Sequence, residues 1–370
     1  MSALVRLRNL EAELLPNKLD SLLVTHLPNI RYLSGFTGSS AALLVGQHGR
    51  ATLFTDGRYT TQAKEEVAHA QIVIGTKAPV IAAAEWLMAA LRPKRSASPW
   101  VLGIEPESLS AGARDRLASV LRGKARVRSA PPLVERARMV KDAGEIRLIR
   151  KAAELGASLF RVACAKIRPG RSEVQVAASM EFEARKKSAE GMSFPTIIAA
   201  GPRSAVVHGR ASAARIPRRG FVVCDFGVIL AGYCSDRTRT VHVGKPSQEA
   251  RTFYGSVLEA QGAALAAVRP GVTAAEVDEA ARRVLRKAKL AQYFTHSTGH
   301  GLGLEIHEAP RLAVGQTQTL QAGMVVTIEP GAYVPGKWGV RIEDVVVVTA
   351  TGCQVLASVN RADKELVVIE

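Results

Sequence analysis

The sequence predicts an α/β domain followed by a larger α+β domain built from two copies of one unit. Three observations predict this. Short apolar strands alternate with helices before residue 135; a helix ending in Arg-Pro-Gly and followed by a hydroxyl-capped helix occurs at 168–170 and again at 269–271; and each copy leads to an apolar strand that carries an acid.

In chain order, residues 21–25 and 41–45 read as strands and 85–91 as a helix. The pair Pro131–Pro132 breaks regular structure, and Asp142 with Glu145 then opens a helix in capping-box fashion. The boundary is set near residue 135, giving domains 1–135 and 136–370. The new helix carries Ile146, Ile149, Ala153, Ala157, Phe160, Cys164 and Ile167 at three-and-four spacing, an apolar stripe that stops at Pro169 and Gly170. Val268, Arg269, Pro270 and Gly271 repeat Ile167, Arg168, Pro169 and Gly170. The helices that follow span 172–187 and 273–287, each opening on a hydroxyl residue. Beyond them FVVCDFG carries Asp225 and MVVTIEPG carries Glu329, so a duplicated unit would bring its acids together.

Composition narrows the function classes. Of 370 residues, 47% are hydrophobic and 22% charged, enough apolar surface for packed cores in a chain longer than one typical domain. An excess of 50 Lys+Arg over 33 Asp+Glu gives +17 and raises nucleic acid, a membrane surface or an acidic partner. The basic residues are dispersed, however, and clusters such as Arg122, Lys124, Arg126 and Arg128 have no aromatic residues between them, so nucleic-acid binding is not expected. Residues 1–14 mix Arg6, Arg8, Glu11 and Glu13 with apolar positions and show no signal-peptide pattern. Apolar runs such as 345–350 fall far short of the roughly 20 residues a membrane helix needs. The expected location is cytoplasmic, with no membrane partner. Cys164, Cys224, Cys234 and Cys353 are scattered, without zinc-site or disulfide spacing, and read as reduced thiols.

The chemistry-bearing candidates are Asp225, Asp236, His300, Glu329 and Glu343. Taken singly, each acid has a plain structural reading, since an Asp near Gly is often a turn residue and Glu329 before Pro330 and Gly331 would end a strand. Taken together, four ionised carboxylates beside strongly apolar strands would repel one another in a low-dielectric site, so some would have to protonate or a cation would have to sit between them; two divalent cations would balance the four charges. His300 lies in THSTGHGLGLEIHEAP, where Gly299, Gly301 and Gly303 permit close approach. The stretch lacks the Lys-Ser/Thr ending of a phosphate loop, and with His296 and His307 nearby it points to metal or proton chemistry. His242 and His69 are better read as core histidines.

On these residues, 140–350 resemble the pita-bread metallopeptidases, the family of methionine aminopeptidase, aminopeptidase P and prolidase. The five ligand positions Asp225, Asp236, His300, Glu329 and Glu343 stand in the family's order within its local strings. The N-terminal strings NIRYLSGFTGSSAALLV and TDGRYTTQA, with Asp56, Arg58 and Tyr59, are similar to the creatinase/prolidase-type N-terminal domain of the prolidase and aminopeptidase P branch. Creatinase shares the architecture without the five-ligand set.

The resemblance implies a pita-bread catalytic domain with pseudo-twofold duplication and two divalent ions, Mn2+ or Co2+, with Zn2+ also compatible. Asp225 would chelate one ion, Asp236 and Glu343 would bridge both, and His300 and Glu329 would complete the second site. Glu329 would also carry the water proton. His208, His296 and His307 match substrate-facing histidines, and Arg341 the arginine of the RIE string; these would serve catalysis and substrate binding. In GPRSAVVHGR, Arg203 and Val207 replace the family's common asparagine and proline. The implied activity is hydrolysis of Xaa-Pro bonds in short proline-containing peptides. Arg311 in HEAPRL, which as a loop arginine would simply be solvated, matches a prolidase arginine that grips a dipeptide's free carboxylate. The alternatives are an aminopeptidase P acting on longer peptides and a non-catalytic binding protein on the same fold. Relatives with this N-terminal domain imply a homodimer whose neighbouring N-terminal domain closes the substrate pocket.

Overall fold

The computed structural model of the chain describes residues 1–46, 51–91, 99–357 and 365–370. These fall into two units, Met1–Arg138 and Met139–Glu370.

In the first unit the apolar runs Ser21–Val24 and Ala41–Gly46 are buried along nearly their whole length and form the centre of a six-stranded sheet. Its order is Gln71–Gly75, Ala51–Asp56, Ala41–Gly46, Ser21–Val24, Trp100–Ile104, Ala125–Ser129. Pairing is antiparallel on both sides of Ala41–Gly46 and parallel further out. Leu23, Leu44 and Phe54 pack against Ala83, Ala84 and Leu87 of the helix Pro79–Ala90. That helix starts earlier than the expected 85–91, because Pro79 occupies its first turn, where a missing N–H costs nothing.

Buried Glu105 serves the start of the helix Leu27–Ser34, whose N-cap residue His26 supplies no side-chain cap. Its carboxylate accepts from Thr25 N at 2.6 Å, His26 N at 2.8 Å and Asn29 Nδ2 at 2.6 Å. The string TDGRYTTQA forms a local cluster: Arg58 Nε lies 2.8 Å from Asp56 Oδ1, and the Tyr59 hydroxyl lies 2.6 Å from Ser39 Oγ with its ring edge-on to Phe36.

The second unit begins with the helix Ala143–Lys166. Asp142 Oδ1 accepts from the N–H groups of Gly144 and Glu145, and Glu145 returns the bond to Asp142 N, completing the expected capping box. The duplication is visible in the backbone. Gly170 N, Glu173 N and Val174 N donate to Ile216 O, Ala214 O and Ser212 O; Gly271 N, Ala274 N and Ala275 N donate to Leu320 O, Gln318 O and Gln316 O. The helices Glu173–Lys186 and Ala274–Lys287 both open with capping boxes, from Ser172 and Thr273.

Each half contributes a sheet covered by helices. The first runs Val367–Ile369, Arg237–Val243, Gly220–Phe226, Ile197–Ala200, and its core packs on Ala143–Lys166 and Glu173–Lys186. The second runs Glu308–Leu312, Gly299–Gly301, Val325–Ile328, Asp344–Val348, Cys353–Val355, and packs on Gln248–Ala267 and Ala274–Lys287. His242 is buried, with Nδ1 2.8 Å from Gly244 O and its ring edge-on to Phe221. His69 is not a core residue as expected: it is exposed in a turn at φ 63, a conformation suited to a chain reversal. Cys224 and Cys234 are buried, and neither forms a disulfide among the described residues. Among the described residues no helix is long and apolar enough to cross a membrane.

Candidate metal centre and active site

Two halves contribute to one cluster. Asp225 sits near the end of Gly220–Phe226, opposite Thr238, and Asp236 immediately precedes Arg237–Val243. From the other half, His300 is the middle residue of Gly299–Gly301. Glu329 lies just past Val325–Ile328, and Glu343 lies in the break between Trp338–Arg341 and Asp344–Val348. Both glutamates therefore stand at strand ends rather than within strands. Glu343 joins the halves: its N–H donates to Thr238 O at 3.1 Å, and Thr238 Oγ1 donates to Glu343 Oε2 at 2.8 Å.

Strand alternation separates neighbouring charges. Thr238 faces the cluster, whereas Arg239 turns away and donates to Asp344 Oδ1 at 2.7 Å. Gln261 Nε2 satisfies the other Asp344 oxygen at 2.8 Å. Asp344 is thus paired behind the site, whereas Oε1 of its neighbour Glu343 is buried without a hydrogen-bond partner among the described residues.

Donor atoms of Asp236, His300 and Glu343 lie within 4.8 Å of one another. His300 Nε2 is 3.6 Å from Asp236 Oδ2 and 3.3 Å from Glu329 Oε1. Its Nδ1, 2.9 Å from Gly301 O, must carry the ring proton. Burial lowers the His300 pKa to about 4, so the ring is neutral near pH 7 and an Nε2 lone pair faces carboxylate oxygens. That juxtaposition is repulsive for ionised carboxylates, so either a proton on the carboxyl or a cation must lie between. The glycines beside His300 are required by backbone rather than by ligand: a Cβ at Gly299 would stand 1.9 Å from Thr327 O, and one at Gly301 2.2 Å from Ala309 O.

Burial first, then the neighbouring carboxylates, push Asp236 and Glu343 well above the usual carboxylate range, and burial pushes Glu329 up to about 8. An orphaned buried oxygen, a neutral imidazole presenting its lone pair and several carboxylates fit divalent cations of the manganese, cobalt or zinc type.

These shifts give a pH prediction for the metal-free chain. A carboxyl with a raised folded-state pKa binds more protons folded than unfolded, so it subtracts stability as pH rises from its unfolded value towards its folded one. His296 and His300, lowered to about 3 and about 4, act oppositely below the histidine value of 6.5. Between pH 6.5 and about 8, the upper bound set by Glu329, the carboxyls dominate. The metal-free melting temperature should fall across this window, and saturating divalent metal should restore more of it at the higher pH. A metal-free melting temperature that rises across the window contradicts the arrangement.

The remaining sequence candidates surround the cluster. Arg341 is buried behind Asp225: Nη2 donates to Asp225 Oδ2, Nε to Thr238 Oγ1 at 3.0 Å, and Nη1 to Val207 O at 3.2 Å and to the Tyr333 hydroxyl at 2.7 Å. Tyr333 was not singled out in the sequence, where it is one aromatic in an apolar strand. Its hydroxyl lies 3.0 Å from His296 Nε2, and His296 Nδ1 lies 2.8 Å from Ser297 O. Nδ1 therefore carries the proton, and the Tyr333 O–H donates to Nε2. His307 is exposed, with its ring 4.4 Å from that of His300 and no hydrogen bond among the described residues. Loss of hydration lowers its pKa, as does His208. His208 is exposed on the loop whose Val207 carbonyl Arg341 holds. Arg311 is the direct cross-strand partner of His300, so the two side chains share one face of the sheet.

Comparison with known proteins agrees with this architecture. Residues 147–350 match metallopeptidase family M24, and residues 6–140 match the creatinase/prolidase N-terminal domain. The chain is similar to the Xaa-Pro dipeptidase of Pyrococcus horikoshii, 36% identical over 93% of this chain and 94% of that one. Among solved structures, the Xaa-Pro dipeptidase from Bacillus anthracis superposes with a TM-score of 0.92 at 36% identity, covering 99% of this chain and 100% of the other. The X-Pro aminopeptidase from Thermotoga maritima superposes with a TM-score of 0.87 at 34% identity, covering 98% and 99%. With both domain matches in sequence and near full-length likeness in structure, the chain belongs to metallopeptidase family M24 and carries a creatinase/prolidase-type N-terminal domain ahead of its peptidase domain.

Proposed function

We propose that the chain is a dinuclear metal-dependent peptidase that hydrolyses Xaa-Pro bonds, with dipeptides as its preferred substrates. The observation that carries the metal reading is the pairing of a neutral His300 lone pair with surrounding carboxylate oxygens beside the orphaned Glu343 Oε1. Asp225 would hold one ion, Asp236 and Glu343 both, and His300 with Glu329 the second. Mn2+ or Co2+ suits this oxygen-rich set, and Zn2+ is compatible. When bound, such a pair polarises the scissile carbonyl and acidifies a water near neutral pH.

The chain's own groups divide the remaining work. Glu329, whose Oε1 accepts from Thr327 Oγ1 at 3.2 Å, would take the water proton at Oε2 and return it to the leaving nitrogen. Of the two histidines that the sequence offers as oxyanion donors, His296 has both ring nitrogens engaged by Ser297 and Tyr333, which leaves His307 as the donor and His296 to line the substrate side with its fixed ring. Arg341 acts through Asp225, Thr238 and Tyr333 rather than by touching substrate, and His208 lines the substrate side.

Xaa-Pro specificity is supported by the names of the similar dipeptidases and aminopeptidase. The dipeptide preference rests on Arg311. It is exposed, shares a face with His300, and its side chain makes no hydrogen bond among the described residues. A guanidinium there would grip the free carboxylate of a C-terminal proline, a group that longer peptides do not present at that place. Xaa-Pro dipeptides should be cleaved faster than longer Xaa-Pro peptides. Arg311→Ala should cost dipeptide kcat/KM selectively, by roughly 1.5 to 3 kcal/mol for a lost charge-assisted bond, or about 10- to 150-fold. Preferential cleavage of tripeptides by the native enzyme would replace this reading with an aminopeptidase and leave the metal centre standing.

A further inference from the structure

His208 and His296 both sit on irregular segments, and each segment is fastened to its helix by a buried carboxylate and an arginine. In the first half Glu173, the fully buried first residue of Glu173–Lys186, accepts from Ala200 N at 2.9 Å, Ser212 N at 3.1 Å and Ser212 Oγ at 2.7 Å. Arg203 Nε donates to the same carboxylate at 3.0 Å, and Arg203 Nη2 reaches across to Arg210 O at 2.9 Å. One acid thus ties both ends of 200–212, and its arginine spans the loop two residues beyond His208.

The second half repeats the device. Buried Asp278 of Ala274–Lys287 accepts from Thr298 N at 3.0 Å and Thr298 Oγ1 at 2.8 Å, and from Arg282 Nε at 2.6 Å. Arg282 Nη1 donates to Phe294 O at 3.2 Å and Nη2 to His296 O at 2.6 Å. In both halves the acid takes the N–H and O–H of one hydroxyl residue together with an arginine Nε, while the Nη groups hold carbonyls of the histidine segment. The positions are not equivalent by duplication. Glu173 follows its capping serine by one residue and Asp278 its capping threonine by five; the first arginine lies on the loop and the second on the helix. The same bonding pattern at unmatched positions fits a shared demand for fixed histidines better than an inherited packing contact does.

We propose that the Glu173–Arg203 and Asp278–Arg282 pairs are positioning devices, each setting the backbone of one substrate-facing histidine. The inference rests on the proposed roles of His208 and His296. The test is a set of double-mutant cycles on the Mn2+-loaded full chain with an Xaa-Pro dipeptide, with kcat, KM and bound metal measured together. Arg282→Met should lower kcat/KM about 10- to 100-fold, the scale of a slight misplacement, at unchanged metal content. In a His296→Ala background the same change should cost less than about twofold, because the group it positions is gone. Arg203→Met should behave likewise with His208→Ala, whereas the crossed pairs, Arg282→Met with His208→Ala and Arg203→Met with His296→Ala, should multiply. Arg282→Lys, which still meets Asp278, should recover part of the loss; it and Arg203→Met carry the test if Arg282→Met does not fold. If neither histidine variant loses turnover, the roles of the histidines fail and the inference with them. If the histidine variants do lose turnover but own and crossed cycles multiply equally, the positioning inference alone is overturned.

Discussion

Asp236→Ala and Glu343→Ala should each abolish turnover, by at least about a thousandfold, and leave the chain unable to hold a metal pair. Both side chains are buried and send donor atoms to within 4.8 Å of His300. Each would serve two ions, so its loss removes a ligand from both and leaves the repulsion between the cations unscreened. Glu343 has a second reason to be sensitive. It joins the two halves through Thr238, so alanine also removes the hydrogen bond from Thr238 Oγ1. Metal content and turnover should therefore fall together. Either variant retaining two tightly held ions and normal turnover would end the dinuclear reading.

His307→Ala should keep the metals and lose about a hundred- to a thousandfold of turnover, the usual cost of removing one oxyanion donor. Its ring stands beside that of His300, it has no hydrogen bond among the described residues, and reduced hydration keeps it neutral, with one N–H to donate. A plot of kcat/KM and metal content for this variant separates the two possible roles. Loss of metal would make His307 a ligand; intact metal with normal kcat would remove it from the chemistry.

What the sequence reveals of this molecule follows physical range. The capping box at Asp142 and the hydroxyl caps at Ser172 and Thr273 are local patterns that the backbone must satisfy within a few residues; all three caps occur as read, and the latter two prove to be capping boxes as well. The duplication is legible because two Arg-Pro-Gly stops impose the same exit on two helices: Gly170 and Gly271 take φ of 82 and 86. The acids stand out because four carboxylates beside apolar strands have few structural explanations.

The relations that were not legible depend on loops folding onto helices or on ring orientation, most of them across long sequence separations. Tyr333 reaches Arg341 and His296 through strand pairing and a ring orientation that no local string encodes. Glu173, Asp278 and Arg282 read as ordinary helix-surface charges until the loops fold onto them. Arg203 stands out in sequence only as a departure from the family's common residue, yet its partner is thirty residues away at Glu173. Buried Lys141 and Glu308, 3.0 Å apart, meet across an even longer separation beside His307.

The central claim is that residues from both halves hold two divalent ions at one centre. Its most direct test is a calorimetric titration of the chelator-stripped full chain with Mn2+, paired with elemental analysis of the saturated protein. The expected result is two ions per chain with net proton release at pH 7, because Asp236, Glu329 and Glu343 must give up protons to coordinate. A chain that saturates at one ion or none, or binds without releasing protons, would contradict it.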